Sequence, residues 1–245
     1  MPRGMTNPLS RLTPNVSQRL QTWETILKHL EQEREVKARP TITLSRAFGC
    51  EGFPVAERLK AQLEAWTGEP WNIYDKTLLE EAAKGAHLDA GVLKNLGVTA
   101  GRLERLGLAP KEFYEHVRAF DVLSRHVVQL AQSGNAIIVG RGGAVLCRAL
   151  ANCFHFRIEA SLEWRITTMM SRLGMPRDEA ERFVTHNSER REAFMREQLK
   201  VDPKDLGFFD AAFNNARHGV PEIAAAIFAY VKESWSSSPH AAAAP

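Results

Sequence analysis

Residues 41–60, TITLSRAFGCEGFPVAERLK, constrain this chain more than any other stretch. Thr41 to Ser45 reads as a buried strand, rich in branched side chains. Two glycines, Gly49 and Gly52, then make a tight turn. A helix follows, with Pro54 in its first turn and Val55, Leu59 and Leu63 on one face. A strand, a glycine turn and a helix bring backbone N–H groups and a helix N-terminus to one spot, which suits a phosphate. Gly49, Cys50, Glu51, Gly52 and Phe53 are therefore candidates for phosphate binding. The competing reading is a plain strand-to-helix turn that needs glycine for its geometry. The pattern is not GxxxxGK[ST]: neither Lys nor Arg takes the usual lysine place, and no Ser or Thr follows it.

The rest of the chain alternates strands with helices. Expected strands are Trp71–Tyr74, Asn135–Gly140, Cys153–Glu159 and Phe208–Phe213; expected helices are 54–66, one from Asp75-Lys76 through Lys84, 111–132, a segment through Leu150, 161–173, 177–200 as one long helix or a helix pair, and 221–235. Such alternation predicts an α/β fold with a parallel, doubly wound sheet flanked by helices. Ligands of such sheets bind beyond the carboxyl ends of the strands, which gathers Gly49–Gly52, Asp75, Gly140–Gly143 and Asn214–Arg217 at one edge. Residues 1–39 form an N-terminal extension with an amphipathic helix from Asn15 to about Val36. Its apolar stripe suits packing on the sheet or a contact in a homodimer, and the sequence does not choose. The main domain runs 40–235, with a helical insert at about 76–132 and a lid at about 174–207. Residues 236–245, rich in Ser, Ala and Pro, read as a disordered tail.

Charge is concentrated rather than abundant. The net charge is only +3, so neither nucleic acid nor another polyanion is an expected partner. Seven arginines nevertheless fall between residues 165 and 196: Arg165, Arg172, Arg177, Arg182, Arg190, Arg191 and Arg196, interleaved with acids. They read either as a solvated helix face laced with ion pairs or as a lid that carries arginines to transferring phosphates. Arg141, in Gly140-Arg141-Gly142-Gly143, is placed to grip a phosphate or to pair with a carboxylate. Asp75 ends a strand and either orients a substrate or caps the helix starting at Lys76. Cys50, Cys147 and Cys153 show no CxxC or zinc spacing, and no HExxH or GxSxG occurs. No protein-held metal and no serine-hydrolase triad is expected. No apolar run is long enough for a membrane span and no secretory leader is visible at the start, so a cytoplasmic location is expected.

Five stretches in order resemble the cytidylate kinase-like family, a nucleoside monophosphate kinase branch of the P-loop NTPases: ITLSRAFGCEGFPVAERLK, IYDKTLLEEAA, AIIVGRGGAVL, FRIEASLEWRITTMMSRLGMPRDEAE with RREAF, and FFDAAFNNARHGVPEIAAAI. The resemblance covers roughly residues 41–232. It implies a P-loop-like sheet and transfer of the ATP γ-phosphoryl group to a nucleoside monophosphate, most naturally a pyrimidine one. Mg²⁺ would come with the ATP, held mainly by phosphates. It also implies roles residue by residue. Gly49 and Gly52 match the phosphate loop. Asp75 and Lys76, with Gly140 and Gly142, match the acceptor side. Arg46, Arg141, Arg165 and Arg191 are the candidates for charge work in catalysis, with Arg172, Arg190 and Arg196 on the lid. Asn214, Asn215 and Arg217 match the segment near the donor base. The chain departs from the pattern at two places: Phe53 stands where the family has a basic residue, and Gly142 where cytidylate kinases have Asp. The alternative function is a non-catalytic nucleotide- or phosphate-binding regulatory module with a degenerate loop.

Overall fold

The computed structural model describes residues 39–75 and 111–237, the side chains of 111–119, 121 and 122 excepted. The expected N-terminal helix, Lys76, the 76–110 part of the insert and the tail beyond Ser237 lie outside the described residues. The elements in chain order are β1 (Thr41–Arg46), α1 (Gly52–Thr67), β2 (Asn72–Asp75), α2 (Lys111–Ser133), β3 (Ala136–Val139), α3 (Gly143–Leu146), β4 (Cys153–Glu159), α4 (Leu162–Leu173), α5 (Arg177–Glu197), β5 (Ala211–Asn214) and α6 (Val220–Ser236).

The five strands form one parallel sheet in the order β2-β3-β1-β4-β5. β1 is central because both its faces are apolar or satisfied. Ile42 and Leu44 face α1 and α6 in a core with Val55, Leu59, Leu63, Ile137, Val139, Phe156 and Ile227. On the other face Ala136 and Ile138 pack with Leu123, Val127 and Leu130 of α2. Thr41 and Thr43 are fully buried there, and each hydroxyl has a partner: Thr41 Oγ1 donates to Ala131 O at 2.8 Å, and Thr43 Oγ1 lies 2.8 Å from His155 Nδ1. A third, smaller core joins α4 to α5 through Ile166, Met169, Ala180 and Val184, and it includes Phe48 from the turn after β1.

The expected helix through Leu150 is a correction: α3 is a single turn ending at Leu146. The chain beyond it is recaptured by Asn152, whose Nδ2 donates to Arg39 O and Ala131 O, both at 2.8 Å, and steers it into β4. The last strand begins at Ala211, later than Phe208. Phe209 N–H closes a turn on Leu206 O, and Asp210 sets the register by bonding His155 on β4 through both its N–H and its carboxylate. The 177–200 segment is one helix, ending at Glu197.

His155 supplies a pH prediction. Burial lowers its pKa from 6.5 although Asp210 opposes the shift. The folded protein thus binds this proton less tightly than the unfolded chain. Below pH 6.5 the unfolded state takes up the proton first, and stability falls as pH falls. The slope reaches at most about 1.4 kcal/mol per pH unit from this group. Urea midpoints of the native protein and of His155→Gln, compared from neutral to acid pH, should converge as pH drops; parallel curves would remove His155 as the cause.

Candidate functional site

The carboxyl ends of the strands bring Arg46 (β1), Asp75 (β2), Gly140 (after β3), Glu159 (β4) and Asn214 (β5) to one edge of the sheet. Chain order reverses across β1, and the crevice between β1 and β3 is where such sheets hold ligands.

Arg46 fills that crevice. Its stem lies across Gly52: a Cβ on that glycine would stand 3.1 Å from Arg46 Cγ and 3.2 Å from Cδ. Its guanidinium lies on Gly140, where a Cβ would come within 1.9 Å of Nη1. Gly140 also has φ +82, a backbone shape that side chains rarely take. The two glycine clusters read from the sequence are thus spanned by one arginine. An added Cβ would clash outright with that arginine at Gly140, whereas at Gly52 the stem would have to give by only a few tenths of an ångström.

The α4–α5 hairpin closes over the turn from the other side. Arg191 Nη1 donates to Arg46 O at 3.0 Å, and its guanidinium lies 4.9 Å from the Phe48 ring centroid. Phe48 also meets the Phe183 ring edge-on at 5.2 Å. Arg165 Nη1 donates to Phe48 O and to Ser188 Oγ, each at 3.0 Å, and Nε donates to Ala160 O. Arg165 is therefore a strut between the hairpin and the turn. Arg141, at φ +55, lies over Phe194 of α5 at 5.9 Å. Of the remaining lid arginines, Arg196 pairs with Glu192 at 2.6 Å on the outside, while Arg172 and Arg190 are half-buried. Arg177 outside holds Glu163 through two 2.7 Å bonds, a surface pair of small energetic weight.

Three arginines share the recess, Arg46, Arg141 and Arg191, and they act on one another. Arg46 is pulled down to about 10, mainly by lost hydration; Asp75 opposes this and Arg141 adds to it. Arg191 lies well below its ordinary value through lost hydration and then repulsion from Arg46 and Arg141. Asp75 is 2% exposed. Glu159 is engaged by Arg157, which pairs with it and also donates to Ser45 Oγ at 3.3 Å. These three arginines repel one another in a partly dehydrated recess, a repulsion that a multiply charged anion would relieve. By contrast, a depression along the outer face of α5 is lined by Asp178, Glu181, Arg182, Thr185, His186 and Glu189. Its three carboxylates against one arginine do not suit phosphate. Among the described residues no group of three or more His, Cys, Asp or Glu side chains forms a metal site, and no helix is long and apolar enough to cross a membrane.

Within the turn itself, Phe53 is buried at 8% exposure and supplies no charge. Cys50 is half-buried, and its thiol is pushed up to about 12, first by burial and next by Glu159. That lowers its thiolate fraction about 10³-fold relative to an ordinary thiol at neutral pH. Iodoacetamide at neutral pH should leave Cys50 unmodified in the folded protein and alkylate it after unfolding in urea. Rapid native labelling, read by mass spectrometry, would contradict this environment. Glu51 precedes α1 without a side-chain cap, and its N–H donates to Asn215 Oδ1 at 2.8 Å. Asn215 is 4% exposed, whereas Asn214 and Arg217 are exposed at the same corner.

Four residues were missed by sequence reasoning. Arg157 and Glu159 were legible, since residues two apart on a strand share a face. Phe48 and Ser188 were not, because their partners lie more than a hundred residues away or on another helix.

A family model, that of the cytidylate kinase-like family, matches residues 41–217. A search among curated proteins finds no match. The crystal structure of an uncharacterized protein from Eubacterium ventriosum ATCC 27560 superposes with a TM-score of 0.60 at 16% identity, covering 79% of this chain and 99% of that one. The crystal structure of TT1252 from Thermus thermophilus aligns over 80% of this chain and 98% of that one at 16% identity, with a TM-score of 0.39 that carries no argument. At such identity the first superposition supports the fold and nothing finer.

Proposed function

Because the chain belongs to the cytidylate kinase-like family, we propose that it is a nucleotide phosphotransferase that moves the γ-phosphoryl group of ATP to a nucleoside monophosphate, a pyrimidine one first. The observation that carries this is Arg46, laid across Gly52 of the phosphate loop and Gly140 of the acceptor side. A cation so placed stands between donor and acceptor and supplies the charge that Phe53 does not. Arg141 and Arg191 lie near enough to repel it and add charge where phosphoryl transfer develops it. Catalysis on this reading is positioning and charge neutralisation, with no covalent intermediate. Glu159 is committed to Arg157 and Asp75 faces Arg46, so Mg²⁺ would arrive with ATP, held by phosphate oxygens and water.

The test is ADP formation with MgATP and a panel of nucleoside monophosphates, run beside thermal shift with each nucleotide. We expect turnover that needs both an acceptor and Mg²⁺. No turnover with any acceptor, while ATP still raises the melting midpoint by mass action, would leave a non-catalytic nucleotide-binding module instead. The absence of both would remove nucleotides altogether.

A further inference from the structure

We propose that Asn215 is a positioning residue for the phosphate loop, so that the affinity of the loop for a polyphosphate is set from the corner after β5. The inference rests on the phosphate-binding reading above. Asn215 is 4% exposed, and its carboxamide uses both ends on the turn. Oδ1 accepts the Glu51 N–H at 2.8 Å. Nδ2 donates to Glu51 Oε2 at 3.4 Å and to His218 O at 3.3 Å. Its own N–H donates to Glu159 O at 2.7 Å, which fixes it to the end of β4. An N–H and a carboxylate on one residue call for an acceptor and a donor together, and a carboxamide offers the two on separate atoms.

The consequence lies in the backbone of the turn. An amide at a helix N-terminus is one of the groups that cradle a phosphate. Here the Glu51 amide is already taken from the side of β5. Phosphate is left to the amides that follow and to Arg46, whose stem crosses Gly52. Asn215 also holds the Glu51 carboxylate toward itself, where a free carboxylate would repel an arriving anion. Loss of Asn215 therefore frees a repelling carboxylate and the turn's fixed shape, which together outweigh the one amide it returns. The damage falls on the polyphosphate side, because the acceptor side is built from β2 and β3.

The experiment is calorimetric titration of the full chain with sodium tripolyphosphate and, separately, CMP, below each variant's melting midpoint. Asn215→Ala should weaken tripolyphosphate binding about tenfold or more and change CMP binding by less than about twofold. Asn215→Asp keeps the acceptor for the Glu51 N–H but sets a second carboxylate against Glu51. Its deficit relative to the native protein should narrow between about pH 8 and about pH 5, as a shared proton restores the lost donor. Both patterns support the assignment, and the Asp variant decides it if the Ala variant does not fold. Unchanged affinity in the variants, equal losses for both probes, or a deficit in Asn215→Asp that ignores pH would overturn it. A native protein that binds CMP but not tripolyphosphate would overturn it too. A native protein that binds neither removes the parent reading first, and this inference with it.

Discussion

Arg46→Met is expected to lower phosphoryl transfer about 10³-fold, the scale of a lost arginine at a transferring phosphate, without a loss of stability. Methionine keeps most of the stem that covers Gly52 and removes only the charge. The fold holds that charge at a disadvantage: a guanidinium pulled down to about 10 costs on the order of 3 kcal/mol relative to its hydrated state. Removing it also relieves Arg191, which Arg46 repels. Against this stands Asp75, buried and paired electrostatically with Arg46. The dehydration and the two repulsions outweigh that single attraction, so the melting midpoint should stay level or rise by a few degrees. On the proposed function, that unfavourable charge is kept for a ligand. ATP should also bind about tenfold or more weakly, since a charge-assisted contact is worth roughly 1.5–3 kcal/mol. The opposite pair of results, a sharp fall in melting midpoint with ATP affinity intact, would make Arg46 the structural counterion of Asp75 and nothing more.

How much of this was legible beforehand follows from the range of the interactions. The sheet was legible because its strands are short apolar runs bounded by glycine and polar residues, a local signal. Asn135–Gly140 and Cys153–Glu159 sit within a residue or so of β3 and β4. Element ends were less so, because α3 stops where Asn152 recaptures the chain and β5 starts where Asp210 meets His155, both side-chain events across the fold. At the site, the glycines were found, but the arginine packed on two of them was not. Sequence reasoning read the Gly49–Gly52 turn as a phosphate cradle or a plain strand-to-helix turn, and the structure adds Arg46, which packs on both Gly52 and Gly140. The interleaved charges of α5 hid a division of labour. Its outer arginines serve surface pairs, whereas Arg191 turns inward onto Phe48 and Arg46 O. Which arginines of the hairpin turn inward depends on Phe48, whose ring Arg191 covers and whose carbonyl Arg165 bonds, and no spacing on α4 or α5 reports that residue.

Gly140→Ala tests that same arrangement from the backbone side, and it should inactivate the protein as fully as Arg46→Met does. Two costs arise. The backbone at φ +82 disfavours any Cβ by about 1–2 kcal/mol. The new methyl would also stand 1.9 Å from Arg46 Nη1, which no contact tolerates, so the guanidinium must leave Gly140. If displacement of Arg46 is the whole functional effect, the double variant Gly140→Ala/Arg46→Met will be no less active than either single one. Groups that act as one unit do not add. Stability should separate the two costs, because the double variant keeps the backbone strain and loses the clash, and so should melt above Gly140→Ala alone. Multiplying losses of activity would instead mean that Gly140 meets the ligand directly, and that the glycine serves the approach of a substrate as well as the seat of an arginine. The cycle thus decides which of two neighbours made glycine necessary there, using only melting midpoints and initial rates.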